Sequence, residues 1–175
     1  MSSQWFRERI RQVHLDYHMP EFPAESLLKA DPAAIVAQLV KAKANVAGLF
    51  AKCHFGNSYY DTKVGHKHRA LRSDWFGEVL EEAHRHDIKV IAYYSLATDA
   101  WAVWNNPDWY QVDEQGRPRG KAGTVWERPC INSPYREELV LPQIREITEN
   151  YDIDAYLIDI PYNHEHICFC KYCRK

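Results

Sequence analysis

Val46-Ala47-Gly48-Leu49-Phe50-Ala51-Lys52 and Lys89-Val90-Ile91-Ala92-Tyr93-Tyr94 are continuous apolar runs separated by a loop and one amphipathic stretch. Short runs without polar alternation suit strands buried on both faces, as in a parallel sheet. The stretch between them predicts a helix over 74–86, capped by Ser73, with Phe76, Val79, Leu80 and Ala83 on one face. Upstream, Val13-His14-Leu15-Asp16-Tyr17 reads as a short strand. Asp31-Pro32 then opens a helix, with Asp as N-cap and Pro at the first helical position, and Ile35, Val36, Leu39 and Val40 form its apolar stripe. Downstream, Ser133-Pro134 starts a third helix that Pro142 should kink or split. Ala155-Tyr156-Leu157-Ile158-Asp159 is the fourth strand.

Strands alternating with helices imply βαβ units and a parallel sheet, hence an α/β fold. No Gly-rich phosphate turn follows any strand, so a nucleotide-binding doubly wound fold loses support. The long, chemically rich segments, 53–72 and 96–132, both follow strands, while those after helices are short. That asymmetry points to a (β/α)8 TIM barrel, whose site is built from the loops at the strand C-termini. A full barrel needs about 250 residues. With about four βα units, residues 1–175 are read as the N-terminal half of such a barrel, a fragment of a longer protein. A half-barrel that closes by dimerising is the alternative.

A formal net charge of −2 and a pI near 6.5 give no basic face for nucleic acid or an anionic membrane. No apolar run approaches the roughly 20 residues of a membrane span. Met1-Ser2-Ser3-Gln4-Trp5 lacks a signal-peptide core, so a cytoplasmic location is expected. Five cysteines, three of them near the C-terminus, make no disulfide framework. They suit a reducing compartment or part of a metal knuckle.

A carboxylate at the C-terminal end of a barrel strand points into the mouth, which singles out Asp159. Retaining glycosidases need such a carboxylate as nucleophile and a second about 5 Å away as acid and base; an Asp that merely caps the following loop is the other reading. Alternation puts His14, Asp16 and His18 on one side of the first strand, as sugar-hydroxyl partners, metal ligands or a satisfied polar cluster in the barrel floor. Lys52 and His54 likewise alternate, so both are expected to face the mouth, where a Lys would position and ionise a carboxylate. Phe55, Tyr59 and Tyr60 can wall a pocket or simply pack their loop. Trp101, Trp104 and Trp109 suit the C–H faces of sugars, and equally suit loop anchoring; Trp126 and Glu127 carry a weaker signal of the same kind. In the tail, Cys168, Cys170 and Cys173 are zinc-ligand chemistry on paper, with His164, His166 or a later Cys as a fourth ligand. Zinc there would be structural; reduced cysteines packed under the loop are the alternative.

Taken together, these stretches resemble a known family. Lys52-Cys53-His54-Phe55-Gly56 followed by Tyr59-Tyr60-Asp61-Thr62-Lys63 resembles the Lys-His-His-Asp-Gly-Phe stretch of α-L-fucosidases. It departs from it at Cys53, where they have His, and at Phe55, where they have Asp. The run ending in Tyr93-Tyr94-Ser95 resembles their third strand, and Asp154-Ala155-Tyr156-Leu157-Ile158-Asp159 their fourth. His14-Leu15-Asp16-Tyr17-His18 and the cysteine tail are similar to a group of glycosyl hydrolases that are fucosidase-like or carry a β-galactosidase trimerisation domain.

The resemblance implies a retaining exo-glycosidase with Asp159 as nucleophile and a carbohydrate substrate, needing no cofactor for catalysis. It implies that His14, Asp16, His18, Lys52, His54, Tyr60, Tyr94, Trp101 and Trp104 bind substrate. It places the acid/base Glu beyond residue 175, so the fragment alone is expected to be inactive. A homo-oligomer of the full-length protein is compatible with it. Two other classes stay open: a metal-dependent hydrolase of amidohydrolase type, for which His14 and His18 are the attraction, and a sugar-binding barrel without turnover.

Overall fold

A computed structural model describes residues 4–23, 27–121, 123–161 and 167–174. In chain order its elements are α1 (Gln4–Glu8), β1 (Gln12–His14), α2 (Pro32–Lys41), β2 (Val46–Lys52), β3 (Asn57–Ser58), β4 (His66–Lys67), α3 (Trp75–Arg85), β5 (Lys89–Ser95), α4 (Ala100–Asn105), a 3-10 turn (Pro107–Trp109), a π turn (Arg136–Val140), α5 (Leu141–Asn150) and β6 (Ala155–Asp159). β1, β2, β5 and β6 lie side by side in sequence order, each parallel to the next. The two-residue strands β3 and β4 extend the sheet beyond the end of β2. The result is a mixed α/β fold dominated by a parallel sheet.

Local chemistry accounts for the elements. Asp31 caps α2 by accepting from the Ala34 N–H at 3.2 Å, with Pro32 at the start as expected. The cap of α3 is Asp74 rather than Ser73: its carboxylate accepts from Gly77 N–H at 3.1 Å, which also sets a negative charge against the positive end of the helix dipole. Gly77 leaves room for this cap, since a Cβ there would come within 2.7 Å of Asp74 Oδ2. The third helix is not broken at Pro142: the π turn runs directly into α5, and Val140 and Leu141 are both helical. Without an N–H, Pro142 cannot bond back to the preceding turn, and a π turn precedes α5. β1 is shorter than its apolar run, ending at His14 with one further bond from Leu15 N–H to Gly48 O at 3.0 Å.

The two faces of the sheet differ. Ala47, Leu49, Ala51, Val90 and Ala92 pack under Val36 and Leu39 of α2, Phe76, Val79, Leu80 and Ala83 of α3 and Ile147 of α5, forming the core. Paired residues share a face, so His14, Gly48, Ile91 and Ala155 form one row on the opposite side, with Phe50, Tyr93 and Leu157 above it and Ser95 and Asp159 above that. Here Phe50 stacks on Tyr93 with ring centroids 3.8 Å apart. The His14 ring fills the space that a side chain at position 48 would need: a Cβ on Gly48 would come within 2.4 Å of His14 Nδ1. On this face Phe50, Ile91 and Tyr93 are buried, whereas Leu157 on the edge strand β6 is 42% exposed. Among the described residues no helix is long and apolar enough to cross a membrane.

Candidate active site

Asp159 ends β6 opposite Ser95, on the face of Phe50 and Tyr93, with 38% of its side chain exposed. The backbone turns sharply after it: Ile160 has φ +52, a costly conformation for a β-branched residue. Tyr93, two residues before Ser95 on β5, therefore lies diagonally beside Asp159 and donates its phenol O–H to Oδ2 at 2.5 Å. Burial, and then the carboxylate it faces, push the Tyr93 phenol far above its ordinary value, so it stays protonated and serves as donor. A bond of this length holds the carboxylate in one orientation.

His54 follows β2 and completes the cluster. Its Nε2 lies 3.6 Å from Asp159 Oδ2, while Nδ1 meets the hydroxyls of Ser95 at 2.7 Å and Thr98 at 2.8 Å. The His18 ring stacks on it at 4.0 Å and accepts the His54 backbone N–H at 3.2 Å. Asp16 Oδ1 sits 3.5 Å from His18 Nε2, and the half-exposed Trp126 ring is 5.3 Å from His54. Burial lowers the His54 pKa to about 4, helped by His18 and Lys52 and opposed by Asp159 and Asp16. His54 is therefore neutral at neutral pH, and its approach to Asp159 is a polar contact rather than an ion pair.

A measurable pH dependence follows. His54 in the unfolded chain takes up a proton near its ordinary 6.5, whereas the folded chain resists until about 4. The unfolded state thus binds more protons in that window, and stability falls as pH drops through it. Denaturant unfolding of the wild type should lose stability from pH 6.5 toward 4, and His54→Gln should flatten that loss. An equally steep loss in the variant would take His54 out of the effect.

The remaining expected residues divide. His14 and His18 lie on the face of Asp159, against Phe50 and Tyr93. Lys52 does not. A register shift between Phe50 and Lys52 pairs Lys52 with Tyr94 and turns it to the helix side. There it is fully buried, with Nζ 2.6 Å from Asp99 Oδ2 and 3.0 Å from Tyr135 Oη. Tyr94 and Tyr60 share that side: the Tyr94 hydroxyl donates to Gln143 at 2.9 Å and that of Tyr60 to Glu146 at 3.1 Å. Trp101 and Trp104 line a separate groove of about 380 Å³ with Phe22, Phe55 and His66, with Trp101 stacked on His66. The ring beside the Asp159 cluster is instead that of Trp126. His164, Glu165 and His166 lie outside the described residues.

Among the described residues, His14, Asp16 and His18 do not form a metal-holding group; the set that does is Cys130, Cys168, Cys170 and Cys173. Cys130 joins the three tail cysteines there, while the expected His164 and His166 lie outside the described residues.

Residues 31–160 match the family described as Hypothetical glycosyl hydrolase 6, about three quarters of the chain. The chain belongs to that family. Among solved structures it is similar to α-L-fucosidase isoenzyme 2 from Paenibacillus thiaminolyticus, at 30% identity and a TM-score of 0.84 over 95% of this chain and 25% of that one. Unliganded α-L-fucosidase AlfC from Lactobacillus casei shares its fold, with 24% identity and a TM-score of 0.59 over 79% of this chain and 45% of that one. The α-L-fucosidase from Vibrio sp. strain EJY3 matches at 22% identity and a TM-score of 0.54, over 75% of this chain and 22% of that one. The chain thus spans about a quarter to a half of the length of these relatives. No curated protein matches the sequence. The family is described as one of hypothetical glycosyl hydrolases, and the chain is similar in fold to α-L-fucosidases.

Proposed function

We propose that the chain carries the nucleophile half of a retaining exo-glycosidase of α-L-fucosidase type, acting on a carbohydrate. The observation that carries this reading is the Asp159 carboxylate at the C-terminal end of β6, partly open and clamped by Tyr93. In the first step an Asp159 oxygen attacks the anomeric carbon and the aglycone oxygen leaves with a proton from an acid. In the second, water displaces the Asp159 ester, its proton passing to the same residue, now acting as base. The acid/base residue is supplied by chain outside residues 1–175. His18, His54 and Asp16 offer donors and acceptors to sugar hydroxyls, and Trp126 offers a flat apolar face. Two carboxylates suffice for this chemistry, and no cofactor enters it.

The same reading makes the sheet one half of a (β/α)8 barrel. Four parallel strands in sequence order, helices on one face, and an opposite face that carries the polar cluster and leaves Leu157 of the edge strand β6 exposed support it. Four further units would cover Leu157 and close the mouth around Asp159.

The test is hydrolysis of a panel of aryl glycosides by the full-length protein, α-L-fucoside and β-D-galactoside included, with the product anomer followed by NMR. Turnover of one glycoside with retained configuration is expected. An inverted product, or no turnover of any member, would contradict the mechanism. Within this reading, Tyr93→Phe removes one hydrogen bond to a charged group, worth about 1.5–3 kcal/mol. It should lower kcat/KM by about ten- to a hundredfold, while an unchanged value would remove Tyr93 from the machinery.

A further inference from the structure

A second cluster of reactive side chains lies outside the proposed mechanism. Cys130 belongs to the long segment after β5, and Cys168, Cys170 and Cys173 to the segment after β6. Their four Sγ atoms lie within 4.8 Å of one another, and none is in a disulfide. A tetrahedral zinc with Zn–S bonds of about 2.3 Å holds its sulfurs about 3.8 Å apart, which this spacing accommodates.

Two amide donors point at the sulfurs. Asn132 points its side-chain amide at Cys173 Sγ, 3.3 Å away, and its backbone N–H at Cys130 Sγ. Such donors stabilise a thiolate more than a thiol. Tight turns present the ligands from both strands of chain: Ser133 N–H bonds to Cys130 O at 3.0 Å, and Cys173 N–H to Cys170 O at 3.0 Å. Four soft thiolates in tetrahedral array select zinc among the common cations, with iron as the competitor.

We propose that Cys130, Cys168, Cys170 and Cys173 bind one structural Zn²⁺ that staples the segment after β6 onto the loop after β5. Each ligating thiol gives its proton to solvent on binding, and no electron is transferred. All four positions are taken by protein, which leaves no place for a substrate or a catalytic water. The two stapled segments are the ones that leave Asp159 and carry Trp126, so the metal fixes the frame of the mouth rather than its chemistry. Beyond the cysteines, the segments meet through Phe169 N–H to Val112 O at 2.9 Å, Arg119 to Ile167 O at 3.2 Å, Arg174 to Glu114 O at 3.5 Å and the Lys171–Asp108 pair. The side-chain contacts among these are exposed, and exposed contacts of this kind contribute little each.

Metal analysis of the chain purified without chelator, followed by cobalt exchange, tests this. One zinc per chain is expected, together with the visible bands of tetrahedral Co²⁺ and thiolate-to-cobalt charge-transfer bands. Cys130→Ser and Cys173→Ser should lose the metal to a chelator that leaves the wild type loaded, whereas Cys53→Ser, a buried cysteine elsewhere in the core, should keep it. Cys130→His should retain zinc with weaker charge-transfer bands, which guards against a serine variant that simply fails to fold. Failure to take up added Zn²⁺, iron in its place, two disulfides among these four cysteines, or zinc held as tightly by Cys130→Ser would each overturn the assignment.

Discussion

Asp159→Asn in the full-length protein is expected to lower kcat by about four orders of magnitude or more, the scale seen when a member of a covalent-catalytic unit is lost. An amide oxygen cannot form the glycosyl ester that the retaining route requires. The fold should survive, because Asn keeps the size of Asp at a position already 38% exposed and its carbonyl can still accept from Tyr93. Circular dichroism and the unfolding midpoint should therefore match the wild type. Azide supplied to Asp159→Gly should partly restore turnover of an activated glycoside, giving a glycosyl azide of inverted configuration as the anion takes the vacated position. Wild-type rates in Asp159→Asn would remove this residue from the mechanism. A collapsed fold would leave the azide product as the deciding observation.

The second large effect concerns stability. Lys52 and Asp99 form an ion pair in which both side chains are wholly buried. Removing one charge strands the other in a medium that cannot solvate it, at a cost of about 3–5 kcal/mol. Asp99 does more than pair. It caps α4 by accepting from Ala102 N–H at 2.8 Å, and Gly56 leaves the room it needs, since a Cβ there would come within 2.2 Å of Asp99 Oδ1. Immediately beyond, Ala100 and Trp101 N–H groups bond to His54 and Phe55 carbonyls at 3.1 and 2.9 Å. The pair thus fixes the two loops that bring His54 to Asp159. Lys52→Met should lower Tm by roughly 6–20 °C, taking about 2–4 °C per kcal/mol for a chain of this size. Asp99→Asn keeps the cap but strands Lys52, and should cost a similar amount. The double variant should be more stable than the sum of the two losses implies. Losses below about 1 kcal/mol for both single variants would mean that water reaches the pair.

Much of this architecture is legible in the chain, because apolar runs, caps and breakers act locally. Asp31-Pro32 starts its helix, and Pro142 falls in the first turn of α5, directly after the π turn, where its missing N–H is tolerated. The position of Asp159 follows from a run of four mostly apolar residues ending in a carboxylate. Parity is what misleads. Strict alternation from Lys52 to His54 assumes an unbroken strand, and one register shift near Phe50 sends Lys52 to the opposite face. The Tyr-Tyr-Ser run by itself points to Tyr94 rather than Tyr93. Counting back in twos from Ser95, the partner of Asp159, selects Tyr93 instead. Cys130 cannot be joined to the cysteine tail by spacing, since long-range closure brings together segments more than thirty residues apart. It is the one cysteine of 96–132, but Cys53 is likewise the one cysteine of 53–72, so loop position alone does not single it out.

The central claim is that Asp159 becomes covalently glycosylated during turnover. The most direct measurement is to treat the full-length protein with a 2-deoxy-2-fluoro glycosyl fluoride of the sugar it hydrolyses, then locate the adduct by peptide mass spectrometry. Fluorine at C2 destabilises both transition states, and the fluoride leaving group offsets that for the first, so the ester accumulates. One fluoroglycosyl unit per chain on the peptide bearing Asp159, absent from Asp159→Asn, is the expected result. A label on another carboxylate, or steady hydrolysis of the reagent with inversion and no label, would contradict it.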